Sequence, residues 1–382
     1  MKLLFVSLGC DKNLVDTEFM LGMLRDDGIE ITNDETEADI IIVNTCCFIN
    51  DAKEESVNAI LEMAEYKKIG PLKALIVTGC LAQRYKEEIK TEIPEVDAIL
   101  GTNSYEDIVK AVHEALGGTF YENFKTLEGL PSIHTKRSVT TGGHFAYLKI
   151  AEGCNKRCTY CIIPYARGRV RSRKIAHVMD EVHALASKGY KEVVLTGIHL
   201  SSYGVDFPAE EKETLLSLIR AVHEVEGIER IRLGSLEPGI ITEEFVQSIA
   251  ALPKMCPHFH LSLQSGCDTT LERMNRRYRS AEYAEKCGLL RKYLGNPALT
   301  TDVIVGFPME TEEDFQDSYD FVESIHFYET HIFKYSRRHG TKAAAMSGQL
   351  TEAQKAARSD KMLALNEQHA KEYEKSVLGS EL

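Results

Sequence analysis

Three short apolar runs open this chain, residues 3–7, 40–44 and 74–78, and each is followed within three residues by a cysteine: Cys10, Cys46 and Cys80. Amphipathic segments at 13–24, 54–66 and 105–116 alternate with them. Continuous apolar strands separated by helices predict a parallel, doubly wound sheet, because only strands covered on both faces can afford no polar alternation. Ligands in such sheets collect beyond the carboxyl ends of the strands. Three thiols are therefore expected at one rim. Free cysteine is also a common core residue, so independent burial is the bland alternative. The sharper expectation is a 4Fe-4S cube held by three thiolates, with one iron open. Cys47, next to Cys46, is either an alternative ligand or a bystander.

Strand and helix alternation resumes after residue 145. Strand-like runs fall at 146–150, 192–196, 231–234, 259–263, 300–305 and 331–335, with amphipathic stretches at 177–187, 215–225, 243–250 and 281–290 between them. Six such repeats suit a partial barrel with its site at the carboxyl-terminal mouth of the strands. Just past the first run lie Cys154, Cys158 and Cys161 in the spacing CxxxCxxC. Three thiolates suit an open cubane better than a structural zinc, which closes its tetrahedron with four ligands. His144 and His177, the nearest histidines on either side, stand at no zinc-ribbon spacing. Cys256, Cys267 and Cys287 are scattered without ligand spacing and read as structural.

The chain's 382 residues, 43% of them hydrophobic, are enough for two or three domains. No apolar run approaches a membrane span, and the first residues lead directly into a strand, so a cytoplasmic protein with no membrane partner is expected. Ten cysteines without a secretion signal point to metal or redox chemistry. The net charge of -13 is concentrated in residues 1–120, with 23 acidic against 11 basic side chains. Residues 153–179 carry no acid but hold Lys156, Arg157, Arg167, Arg169, Arg171, Arg173 and Lys174. This stripe could bind anions, either substrate phosphates or a cofactor carboxylate; an ion-paired face between domains is the alternative.

CxxxCxxC with Tyr160 before its last cysteine resembles the signature of the radical S-adenosylmethionine enzymes. Two such trios, one on a doubly wound domain and one on a partial barrel, resemble the methylthiotransferases of that superfamily over nearly the whole chain. The resemblance implies a fold of two parts: an N-terminal doubly wound α/β domain (1–120), a linker (121–143), and a partial (β/α)6 TIM-like barrel (144–350). A C-terminal helix (351–382) would then lead toward a TRAM-type domain that is expected to be missing.

It also implies two 4Fe-4S clusters, an auxiliary one on Cys10, Cys46 and Cys80 and a radical-generating one on Cys154, Cys158 and Cys161. S-adenosylmethionine would be the cofactor, a flavodoxin or ferredoxin the electron donor, and conversion of C–H to C–S–CH3 the reaction. Tyr160 would stack on adenine. Gly197, Gln264, Ser265, Asp302 and Gly306, at strand ends, would line the cofactor site, although turn chemistry alone accounts for each of them equally well. Arg167, Arg169, Arg171 and Arg173 are candidate substrate contacts.

Residues 7–18 and 44–50 look like the RimO branch, which modifies an aspartate of a small-subunit ribosomal protein. Residues 195–204, 260–267 and 331–341 look like the MtaB branch, which modifies threonylcarbamoyl-adenosine beside the tRNA anticodon. A hybrid chain acting on tRNA is the expectation, because substrate must reach the barrel. The ribosomal protein is the alternative substrate, and a non-catalytic iron-sulfur RNA-binding protein or an inactive hybrid is the alternative of another kind.

Overall fold

The computed structural model describes residues 1–131, 137–208, 210–211 and 213–380. These group into two compact units, residues 1–155 with 162–173, and residues 156–161 with the chain from 174 onward.

The first unit is built from β1 (Lys2–Ser7), α1 (Asp11–Asp26), β2 (Glu30–Ile31), β3 (Ile40–Thr45), α2 (Asn50–Ile69), β4 (Ala74–Gly79), α3 (Cys80–Arg84), α4 (Lys86–Glu92), β5 (Ala98–Leu100), α5 (Ile108–Leu116) and β6 (Tyr121–Asn123). It ends with β7 (Phe145–Glu152), α6 (Ile163–Arg167) and β8 (Arg171–Ser172). Its main sheet has the order β2-β1-β3-β4-β5-β6, parallel throughout. Alternate side chains of one strand serve opposite cores. Ile40, Ile42 and Ile76 pack with Val15 and Phe19 of α1 and Ile108 and Val112 of α5. Ile41, Val43, Leu75 and Val77 pack with Ile60 and Met63 of α2, Leu81 of α3 and Ile89 of α4. This two-sided cover is why β3 and β4 are buried along their whole length.

The chain leaves β1 toward one edge, to β2, and returns to the other side for β3. The β1/β3 junction is therefore the switch point of the winding, where neighbouring loops diverge and open a crevice. β7 and β8 pair antiparallel.

The second unit contains α7 (Ile175–Ser187), β9 (Glu192–Gly197), α8 (Leu215–His223), β10 (Arg230–Leu233), α9 (Glu243–Ala250), β11 (His258–His260), α10 (Asp268–Arg273), α11 (Ser280–Leu294), β12 (Ala298–Val305), α12 (Glu312–Ile325), β13 (Glu329–Lys334) and α13 (Glu352–Val377). β9 pairs with β10, and β11-β12-β13 form a second parallel ladder. Parallel bridges Ile231–Met255 and Leu236–Leu261 carry the pairing from β10 to β11.

The mixed α/β class with parallel sheets stands as expected. Several elements went unforeseen. β5 and β6 are three residues each, too short to show a period, and β6 adds residues 121–123 of the expected linker to the sheet edge. α12 is mostly polar, and its start is fixed by a capping box between Thr311 and Asp314. Of the expected linker and C-terminal segment, residues 132–136 and 381–382 lie outside the described residues. Among the described residues, no helix is long and apolar enough to cross a membrane.

Candidate functional site

Cys10, Cys46 and Cys80 come together at the switch-point rim of the first unit, and two glycines make the approach possible. Gly9 has φ +89°, and a Cβ there would stand 2.8 Å from Cys46 Cβ and 3.1 Å from its Sγ. Gly79 has φ +96°, and a Cβ would stand 2.4 Å from Asn44 Oδ1 and 2.5 Å from the Thr45 carbonyl oxygen. Only glycine fits either place. Cys10 caps the N-terminus of α1 and Cys80 opens α3. Ser56 fixes Cys46, its Oγ accepting from the Cys46 N–H at 2.9 Å and donating to the Cys46 carbonyl at 3.0 Å.

Cys47 turns away. Its thiol donates to the Cys80 carbonyl at 3.2 Å, inside the apolar cluster beneath α2 and α3. Burial pushes its pKa far up, and burial likewise raises Cys46 to about 11. Burial also raises Cys80, against the pull of Arg167. Bare, these thiols stay protonated at neutral pH; a bound metal ion removes such protons outright.

The trio fits a multi-iron group better than a single ion. With Zn–S near 2.3 Å, tetrahedral zinc would hold its sulfurs about 3.8 Å apart. Among the described residues, the triads whose ligand atoms close to within 4.8 Å are His260/Asp302/His331 and His326/His369/Glu372, and this cysteine trio is not one of them.

Arg167 sits beneath the trio with 1% of its surface exposed. Its Nε donates to Cys80 Sγ at 3.3 Å, Nη1 to Asp16 Oδ2 at 2.7 Å and to Glu152 Oε1 at 3.3 Å, and Nη2 to Asn13 Oδ1. Lys149 donates to both Asp16 and Glu152. Burial would raise Glu152, but Lys149 and Arg167 outweigh it and hold its carboxyl at about 2. Asn13 completes the net, donating to the Leu8 and Thr45 carbonyls at 3.0 Å each. Two cations thus face two carboxylates in a buried cell with the Cys80 sulfur on its edge.

The expected arginine stripe is largely internal. Arg171 donates to the carbonyls of Leu127 and Arg167, and Arg173 to that of Lys149 at 2.9 Å. Of the four arginines, Arg169 alone is exposed. Arg167 ends α6 and Arg171 opens β8, which pairs with β7.

In the first unit Cys154 donates its N–H to the Gly168 carbonyl at 3.0 Å, and in the second the Cys161 N–H donates to the Cys158 carbonyl at 3.1 Å. All three cysteines of the motif are half-buried. Tyr160 is buried among Met274, Ile304, Phe307 and Tyr335. Its hydroxyl donates to Gln264 Oε1 at 3.0 Å and accepts from Arg276 Nη2 at 2.9 Å, while Arg338 donates to its carbonyl at 2.8 Å. Gln264 adopts φ +72°, a rare conformation for a side chain of this kind and one found where a site demands it.

Ser265 accepts from the Cys267 N–H at 3.2 Å and lies against Ser318; Asp302 pairs with His260 at 3.1 Å; Gly306, with φ +72°, passes within contact of Lys355. Gly197 is buried at the end of β9. Cys267 Sγ meets Asp314 at 3.5 Å, and Cys256 and Cys287 are buried.

Glu237, which motif reading overlooked, follows β10 with Lys156 at 2.5 Å, Arg276 at 3.5 Å and His199 at 3.6 Å. Burial opposes its ionisation, but His199 and Lys156 hold its carboxyl at about 2. Its position in 233–238, directly after a predicted strand, was the available signal.

Comparison with known proteins now decides the family. The model of Uncharacterized protein family UPF0004 matches residues 2–101 and that of the Radical SAM superfamily residues 148–322. The ribosomal protein uS12 methylthiotransferase RimO of Lachnoclostridium phytofermentans is 48% identical over 382 residues, covering 100% of this chain and 86% of that protein. Its namesake in Clostridioides difficile is 41% identical over 379 residues, covering 99% and 85%. The chain belongs to the RimO family of radical S-adenosylmethionine methylthiotransferases.

Its cofactors are accordingly S-adenosylmethionine and two 4Fe-4S clusters. The fold is also similar to that of the radical S-adenosylmethionine methyltransferase TsrM of Kitasatospora setae, with TM-score 0.63, 14% identity, and 90% of this chain and 76% of that one covered.

The tRNA expectation is overturned. Relatives named for uS12 match across the barrel as well as the first unit, in one alignment over the full 382 residues, and no hybrid is shown. Of the strings that suggested MtaB, 195–204 and 260–267 lie at strand ends, whereas 331–341 includes most of β13.

Proposed function

We propose that this enzyme methylthiolates an aspartate of ribosomal protein uS12, replacing a C–H hydrogen by S–CH3. The observation that carries this is the 48% identity, over every residue of the chain, to a protein named for that activity. Cys10, Cys46 and Cys80 would hold the auxiliary cluster, and Cys154, Cys158 and Cys161 the one that works with S-adenosylmethionine. When bound, these groups supply the electron that cleaves the sulfonium and the sulfur that ends in the product.

The chain's own residues prepare the sites. Arg167 aims a fixed N–H at the Cys80 sulfur, and Asn13 ties the loops after β1 and β3 together. The carboxylate of Glu237, with Lys156 and Arg276 beside it, offers opposite charges for the ammonium and carboxylate of a methionine moiety. Tyr160 and Gln264, locked to each other, would form a rigid wall of that site. A cytoplasmic location and a flavodoxin or ferredoxin as reductant go with this reading, since ribosomal protein is the substrate and each turnover consumes electrons.

The test is an anaerobic reaction offered uS12 and tRNA together, followed by mass spectrometry of both. A methylthio group on a uS12 aspartate is expected. Modified nucleoside with unmodified uS12 would overturn the assignment.

A further inference from the structure

Far along the second unit, two histidines and a glutamate meet where α13 packs against the end of α12. His369 is on the buried stripe of α13 that runs Lys355, Arg358, Met362, Leu365, His369. It is 3% exposed, and among the described residues neither ring nitrogen has a hydrogen-bond partner. A buried imidazole with both nitrogens unsatisfied calls for an explanation. Three residues on, Glu372 lies over the same helical face. His326 reaches in from the C-terminus of α12, held in the left-handed region at φ +52°. The two imidazole rings are 4.9 Å apart, and His326 Nδ1 is 3.8 Å from Glu372 Oε2. One ligand atom from each residue falls within 4.8 Å of the other two. Glu323, one turn back on α12, adds negative charge nearby.

We propose that His326, His369 and Glu372 form a binding site for a borderline divalent cation of the zinc class. Two imidazoles and a carboxylate are a zinc donor set, with a fourth position left for water. Zinc–nitrogen bonds near 2.0 Å would bring the donors to about 3.3 Å from one another. The contraction falls to His326 and Glu372, which are exposed, with Glu372 exchanging the bond it accepts from Gln368 Nε2 at 2.9 Å, while His369 is fixed. The other triad of this kind is closed on itself: His260 Nε2 faces Asp302 at 3.1 Å and its Nδ1 faces Thr300 Oγ1 at 3.0 Å. A metal joining residues 326 and 369 would staple the C-terminal helix to the barrel, since binding that the unfolded chain cannot match stabilises the folded one. The site shares no residue with either cysteine trio and does not depend on the substrate.

The experiment uses the anaerobic, cluster-loaded enzyme equilibrated with zinc sulfate and freed of excess. Zinc and iron are measured together, and the zinc is examined by K-edge absorption. One zinc per chain is expected, with a nitrogen and oxygen shell, imidazole scattering and unchanged iron. His326→Ala, Glu372→Gln and His369→Leu should each weaken zinc binding at least ten-fold and remove the zinc-dependent rise in melting temperature. The first two substitutions are at exposed positions and keep the test valid if His369→Leu fails to fold. Sulfur in the zinc shell, loss of iron on zinc binding, or equal binding by the variants would overturn the site.

Discussion

Replacing Arg167 by methionine tests the buried charge cell directly. The guanidinium meets Asp16 at 2.7 Å, Glu152 at 3.3 Å and Cys80 Sγ at 3.3 Å, with all the partner side chains almost fully enclosed. Removing it leaves two buried carboxylates with Lys149 as their remaining cation in the cell. Breaking a buried ion pair from one side costs about 3–5 kcal/mol, because a charge stays behind without compensation. At the same time methionine restores part of the lost packing. A net loss of about 3 kcal/mol is expected from urea unfolding of the iron-free, reduced protein.

Asp16→Asn in the Arg167→Met background should recover at least about 1 kcal/mol, since it removes the stranded charge. In the loaded enzyme, loss of the N–H donated to Cys80 should lower the auxiliary cluster's reduction potential. A loss below about 1 kcal/mol, or single-substitution effects that simply add, would refute the claim that these groups act as one neutralised unit.

Further outcomes can be measured alongside. Cys47→Ala should leave the iron content unchanged, because its thiol is bonded to a backbone carbonyl; loss of about four irons would make Cys47 a ligand. Gly79→Ala forces a Cβ to 2.4 Å from Asn44 Oδ1 at φ +96°. It should cost about 1–3 kcal/mol and empty the auxiliary site, which iron analysis and thermal unfolding would report.

Burial, with Arg232 and His260 beside it, lowers the His258 pKa to about 4. A depressed histidine supports the fold in full above its unfolded pKa near 6.5, and that support is lost as pH falls toward 4. The contribution is about 2 kcal/mol once the part of the ring still facing water is discounted. Stability curves of wild type and His258→Gln should therefore converge across that window; parallel curves would contradict it.

The alternation of apolar runs and amphipathic segments was enough to read the parallel sheet, and strand-end placement was enough to gather Cys10, Cys46 and Cys80. Both follow from local rules: strand ends face one rim, and glycine precedes two of the cysteines where the chain turns tightly. Charge was the misleading signal. Arg167, Arg171 and Arg173 read as anion contacts because their partners, Asp16, Glu152 and the carbonyls of Leu127 and Lys149, lie distant in sequence or are backbone groups that no composition displays. Glu237 was overlooked for a related reason, since its partners Lys156, His199 and Arg276 come from three separate loops. The substrate was misjudged on three short strings of the barrel, whereas similarity over all 382 residues follows RimO.

The claim on which the rest depends is that each cysteine trio holds its own cluster. Iron and sulfide analysis of the anaerobically reconstituted protein tests it most directly, in wild type and in the Cys10→Ala/Cys46→Ala/Cys80→Ala variant. About eight irons with matching sulfide are expected for the first and about four for the second, with S-adenosylmethionine cleavage retained in the variant. Equal iron in both proteins, or zinc in place of iron, would contradict the account.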